Sequence, residues 1–182
     1  MRQTEELESK SISIWVSGSG QARIALELEQ LLGVRTRVYK DGEVSPHGAL
    51  PHIILCPSEE DVTPEVKRLL ASAPDVPLLV LGSRLDEQLA RRAFLAGAHG
   101  FIHLEMQPAQ IGRILSSTSS DETMVPRDLL EVFLYKTVAH ADQIIFTPHQ
   151  REFLELVATT ASFTDEIVVP RQLLEAFLKR DP

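Results

Sequence analysis

The chain has 182 residues, 43% of them hydrophobic and 5% aromatic, with a formal net charge of −8. That length suits one ordinary α/β domain with a smaller appendage, or one large domain, and the apolar content excludes a globally disordered chain. Residues 1–120 hold 12 Lys+Arg against 15 Asp+Glu and residues 121–182 hold 6 against 11, so the acidic surplus sits at the C-terminal end and counts against DNA as a partner.

The first ten residues, MRQTEELESK, are polar and charged. They read as a tail and lack the apolar stretch of a signal peptide. No apolar run in the sequence is long enough to span a bilayer, and a cytoplasmic protein is expected.

Residues 12–16, Ile-Ser-Ile-Trp-Val, form a β-rich run followed by the loop SGSG. Residues 21–32 place Ala22, Ala25, Leu28, Leu31 and Leu32 on one helical face, with Gly33 as the stop. Residues 35–40 read as a second strand and 41–50 as loop. Residues 52–56 read as a third strand containing Cys56, the single cysteine, a small buried hydrophobe in a reducing compartment. Pro64 opens a helix over 64–71 with Val66, Leu69 and Leu70 on one face. The continuous apolar run 78–82 predicts a strand covered on both faces. A helix over 85–96 stops at Gly97, residues 100–104 give a fifth strand, and 108–116 a helix burying Ile111, Ile114 and Leu115.

Strands alternating with crossovers predict an α/β fold: a five-stranded parallel sheet with helices on both faces. Ligands of such sheets bind at the carboxyl ends of the strands. Those ends are Ser17-Gly18, Pro57, Gly82-Ser83 and Leu104-Glu105.

Past the polar linker SSTSS lies an internal repeat: DETMVPRDLLEVFLYK at 121–136 and DEIVVPRQLLEAFLKR at 165–180, identical at ten of sixteen positions. Each copy puts Pro in a first helical turn, followed by an apolar face: Leu129, Leu130, Phe133 and Leu134, then Leu173, Leu174, Phe177 and Leu178. These faces are either two short core helices or a pair of docking helices, against each other or across a dimer. Between the copies Thr147 is an N-cap and Pro148 an N1 residue, with Phe153, Leu154, Val157 and Ala158 along one face. The division read from the chain is a tail (1–10), an α/β domain (11–116), and a linker with a small all-helical C-terminal region (117–182).

Residues 77–105, PLLVLGSRLDEQLARRAFLAGAHGFIHLE, resemble the fourth through fifth strands of a receiver domain, with Ala96-Gly97-Ala98-His99-Gly100-Phe101 as the specific phrase. Thr147-Pro148, Arg151-Glu152 and Leu154 to Ala158 resemble the opening helix of the LuxR-type helix-turn-helix. Together they resemble the NarL/FixJ type of response regulator, with a receiver-like (flavodoxin-like) fold. The chemistry of that family does not carry over. Ser17 and Gly18 stand where two acids hold Mg²⁺, a hard cation that needs carboxylate oxygens. Pro57 stands at the phosphoacceptor, Gly82 (or Ser83) at the hydroxyl after strand four, and Leu104 at the lysine. The resemblance therefore implies a degenerate phosphorylation pocket.

The DNA-reading end is also incomplete. Asp165-Glu166-Ile167 echoes the start of the family's second helix, and then Pro170 intervenes. Gln172, Glu175 and Lys179, read as outward, are mixed in charge. The resemblance makes Arg91, Arg92 and Phe101 candidates for a docking surface. SGSG lacks the third glycine of a phosphate-cradling loop, since Arg23 occupies that place. His99 and His103 straddle a loop and a strand, which does not suit a metal, and His140 and Asp142 form a lone close pair.

The expectation is a pseudo-receiver regulator, not an enzyme. It works by protein contact or as a homodimer, without metal or cofactor. The alternative is an atypical transcription factor binding DNA through a degraded LuxR-like end. A small-ligand sensor using the SGSG loop is the third reading.

Overall fold

Runs of aliphatic and β-branched residues form the strands, and the helices between them bury one face each. The computed structural model describes residues 13–17, 21–38, 53–57, 61–118, 122–139, 147–160 and 166–179. In chain order the elements are β1 (Ser13–Val16), α1 (Gln21–Leu32), β2 (Arg35–Val38), β3 (Ile53–Pro57), α2 (Thr63–Ser72), β4 (Leu78–Gly82) and α3 (Glu87–Ala96). There follow β5 (Gly100–His103), α4 (Pro108–Ser117), β6 (Glu122–Pro126), α5 (Arg127–Ala139), α6 (Pro148–Thr160), β7 (Glu166–Pro170) and α7 (Arg171–Leu178). The expectations for residues 1–10, Gly18, the loop at 41–50, the pair His140 and Asp142, and the side chains of Cys56 and Pro57 lie outside what is described.

One seven-stranded sheet runs in the order β2-β1-β3-β4-β5-β6-β7. Neighbours from β2 to β6 are parallel, and β7 alone runs antiparallel, against β6. The five-stranded sheet expected from the sequence is thus extended by two strands, and the region beyond residue 116 is not all-helical. Both additions come from the repeat. In each copy the run before Pro, rich in β-branched residues, is a strand, Thr-Met-Val in β6 and Ile-Val-Val in β7, and Pro126 and Pro170 end the strands where the helices begin.

The repeat is a pair of β–α units related by an approximate two-fold axis. Met124 lies opposite Val168, its own counterpart, while Glu122 faces Pro170 and Pro126 faces Glu166. Equivalent Phe residues find different partners, however. Phe133 meets Phe94 of α3 edge-on, and Phe177 stacks on Phe153 of α6.

The sheet separates two cores. On one face Trp15, Leu78, Val80, Phe101, Val125, Ile167 and Val169 pack against α2, α3, α5, α6 and α7. On the other, Ile14, Val16, Ile53, Leu79, Leu81, Ile102 and Met124 pack against α1 and α4. In α1 the burial falls on Ala25 and Leu28, and Ala22 and Leu31 are exposed, so the expected face is rotated. Caps follow the sequence. Asp86 accepts a hydrogen bond from the Leu89 N–H at 2.9 Å, and Gly97 at φ 105° closes α3 in a left-handed conformation that favours glycine.

Thr147 and Gln150 form a capping box. The Gln150 N–H donates to Thr147 Oγ1 at 3.3 Å, and the Thr147 N–H to Gln150 Oε1 at 3.0 Å. Phe153 and Val157 of α6 are buried, whereas Ala158 is exposed. Among the described residues α6 is followed by strand β7, and Glu166 and Ile167 belong to that strand rather than to a second helix. Among the described residues, no helix is long and apolar enough to cross a membrane.

Candidate functional site

The carboxyl ends of β1, β3, β4 and β5 converge on the residues singled out in the sequence, because parallel pairing brings those ends to one edge of the sheet. Ser17 follows β1 and is 1% exposed. Its hydroxyl is not free: Oγ donates to Glu65 Oε1 of α2 at 2.9 Å. Glu65 also takes the fork of Arg68, from Nη2 to Oε1 at 2.6 Å and from Nε to Oε2 at 2.9 Å. Charge-assisted bonds of this geometry are the strong ones. The Arg68 bonds first, then the Ser17 hydroxyl, hold the Glu65 carboxyl below the usual carboxylate range against a counteracting effect of burial. The carboxylate that meets the end of β1 through Ser17 is thus committed to a guanidinium and a hydroxyl.

Pro57 is the last residue of β3 and lies in register with Leu81 of β4. Beside it Gly82 is buried under the ring of Phe101. A Cβ built on Gly82 would meet Phe101 Cζ and the Arg84 carbonyl oxygen, each at 3.0 Å. The next residue, Ser83, is exposed. Leu104 is half-buried, and its N–H donates to the Gly82 carbonyl at 3.2 Å, closing the end of β5 onto β4. Phosphoryl transfer needs a nucleophile, a cation and acids that hold a metal. Pro57 supplies no nucleophile and Leu104 no cation. Among the described residues no group of three His, Cys, Asp or Glu side chains could hold a metal ion.

One polar pair was not anticipated. His103, at the end of β5, is 6% exposed, and neither ring nitrogen has a hydrogen-bond partner. Its Nε2 lies 3.9 Å from Asp128 Oδ2 in the first turn of α5, ion-pair distance but too long for a hydrogen bond. The neighbouring His103 ring, then the Leu129 N–H, hold the Asp128 carboxyl low. His99 has a separate, structural place: its Nδ1 accepts from the Leu78 N–H at 3.0 Å, and its backbone joins β4 to β6.

The docking candidates are redistributed. Phe101 is fully buried, as are Leu129, Leu130, Phe133, Leu174, Phe177 and Leu178, so they pack this chain's own core instead of offering a surface. Leu134 and Leu173 are half-buried against the same core. Arg91 donates from Nη2 to the Leu178 carbonyl at 2.7 Å, binding α3 to the end of α7. Arg92 is exposed. On α6 and α7 the charges are mixed. Arg151, Arg171 and Lys179 stand among Glu152, Glu155 and Glu175, and Glu175 is within ion-pair distance of both Arg171 and Lys179.

Sequence reasoning missed Glu65, Arg68 and Asp128. The helical spacing of Glu65 and Arg68 is visible in the sequence as an i,i+3 pair. Their meeting with Ser17 depends on the order of β1 and β3 in the sheet and leaves no local signal.

No protein-family model matches the chain, and no curated protein matches it. Among solved structures the neighbours are response regulator receiver domains. A response regulator from Thermotoga maritima is 17% identical, with a TM-score of 0.47, covering 59% of this chain and 99% of that one. A LuxR family DNA-binding response regulator from Silicibacter pomeroyi is 20% identical, with a TM-score of 0.43, over 57% of this chain and 88% of that one. An atypical orphan response regulator, described as having a phosphorylation-independent regulatory mechanism, is 15% identical, with a TM-score of 0.45, over 57% and 92%.

Proposed function

We propose that this chain is a receiver-like regulatory protein that works without phosphorylation, by protein–protein contact, in the cytoplasm. The observation that carries the reading is the Ser17–Glu65–Arg68 cluster. Where a phosphorylatable pocket needs free acids around a metal, a buried hydroxyl and a guanidinium hold the nearby carboxylate. Pro57, Gly82 under Phe101, and Leu104 support it from the other strand ends. Residues 11–116 would supply the receiver-like unit and residues 117–182 its C-terminal extension. The extension lies on α3 through Arg91, Phe94 and Phe133, so the exposed Arg92 remains the docking candidate there.

Acetyl phosphate or beryllofluoride with Mg²⁺ should change neither the mass nor the melting temperature of the protein. A mass gain of one phosphoryl group, or a thermal shift with beryllofluoride, refutes the reading. Affinity capture from the protein's own cells, with and without nuclease, then separates protein partners from DNA. Partners that vanish with nuclease would favour a transcription factor.

A further inference from the structure

We infer that β7 is a homodimerisation edge, pairing antiparallel with β7 of a second copy of this chain about Val168. The inference begins with hydrogen-bond direction. The Met124 N–H donates to the His99 carbonyl at 2.9 Å, toward β5 and away from β7. Hydrogen-bonded and non-bonded pairs alternate along an antiparallel ladder. Met124 and Val168 are therefore a non-bonded pair, and Thr123–Val169 and Val125–Ile167 are the bonded ones. It follows that the N–H and C=O of Val168 point away from β6, to the outer edge. Among the described residues nothing pairs there, since β7 ends the sheet.

The two sheet edges differ in kind. β2 carries Arg35 and Arg37, both exposed, and charges of one sign along an edge discourage pairing. β7 reads Glu-Ile-Val-Val-Pro, with Val168 37% exposed among the few large apolar side chains open to solvent. A second copy fits this edge because the chain already pairs this strand with a near-copy of itself. β6, Glu-Thr-Met-Val-Pro, meets β7 in a register that sets each position against the strict two-fold mate of its counterpart. In a β7–β7′ pair centred on Val168, the two Val168 residues exchange both N–H···O=C bonds. Each Glu166 then lies opposite a Pro170, the residue that has no donor to offer. Two bonds form about the two-fold axis, and Pro170 strands no donor. The two Val168 side chains come together on the face shared with α1 and α4, covering exposed apolar surface.

The test is the mass of the full chain in solution by light scattering and sedimentation, over a concentration series. The wild type should give twice 20.3 kDa. Val168→Pro removes the outward N–H without breaking a bond to β6, and Val168→Lys places a charge opposite its own copy at an already exposed position. Both should halve the mass while keeping the circular dichroism spectrum of the wild type, and Leu26→Lys on exposed α1 should not. If Val168→Pro fails to fold, Val168→Lys decides. A wild type that stays monomeric throughout, or a folded Val168→Lys that stays dimeric, overturns the inference.

Discussion

Phe177 stacks on Phe153 with ring centroids 4.5 Å apart and planes 26° apart. Its counterpart in the first repeat, Phe133, instead meets Phe94 edge-on at 6.4 Å. The same residue in the same repeat thus serves two joints: α7 to α6, and α5 to α3. Phe177→Ala should destabilise the fold by about 3–5 kcal/mol, the usual cost of emptying a buried ring site. A double-mutant cycle with Phe153→Ala, followed by denaturant unfolding, should show coupling of about 0.5–1.5 kcal/mol. Strict additivity would mean that the stack contributes nothing beyond area.

Glu65 should make stability depend on pH in the acid range. Its carboxyl is held low by Arg68 and Ser17, so the folded state favours the ionised form. That contribution is fully present above the ordinary glutamate range and is lost as pH falls through the lower folded value. The side chain is 29% exposed, and solvent screening keeps the effect to about 1 kcal/mol. Glu65→Gln should therefore be less stable than wild type at pH 7, with the gap closing in acid, as read by urea unfolding at a series of pH values.

Two glycines should respond to alanine in opposite directions. Gly82→Ala pushes a methyl group against Phe101 Cζ and the Arg84 carbonyl, each 3.0 Å away, and should cost about 1–3 kcal/mol. In α4 a Cβ on Gly112 would meet nothing within 4 Å, and Gly112→Ala should raise stability by about 0.5–1 kcal/mol. Melting temperatures of the two variants suffice to check the signs.

The capping box gives a local prediction. Thr147→Ala removes the acceptor for the Gln150 N–H and should destabilise by about 1 kcal/mol, with Thr147→Ser close to neutral. Amide exchange should place the Thr147→Ala loss first in the opening turn of α6.

The sequence was most legible where a pattern is local. The apolar run 78–82, the glycine stop at 97 and the Thr147-Pro148 start each announce an element through chemistry confined to a few residues. The repeat was visible as a repetition, yet its strands were not. Five residues ending in Pro carry too little alternation to be told from the lead-in to a helix, and only the pairing of β6 with β7 makes them strands. At the candidate site the missing chemistry of Pro57 and Leu104 could be read from single positions. The Ser17–Glu65 contact spans 48 residues and exists because β1 and β3 are neighbours, a matter of topology. The burial of Phe101 followed the same logic: its strand is central, so both of its faces are covered.

The placement of α7 also bears on how the protein is made. The face of the sheet built by Trp15, Leu78, Val80 and Phe101 shares its core with Leu174, Phe177 and Leu178, and Arg91 waits for a carbonyl 87 residues downstream. On a ribosome, the apolar surface that α7 covers on α3, α6 and β6 stays open until residues 166–179 have emerged. A transcript cut short between the two repeats would release a chain with β6 as a bare edge and the flank of α3 uncovered, a substrate for chaperones and proteases instead of a smaller working protein.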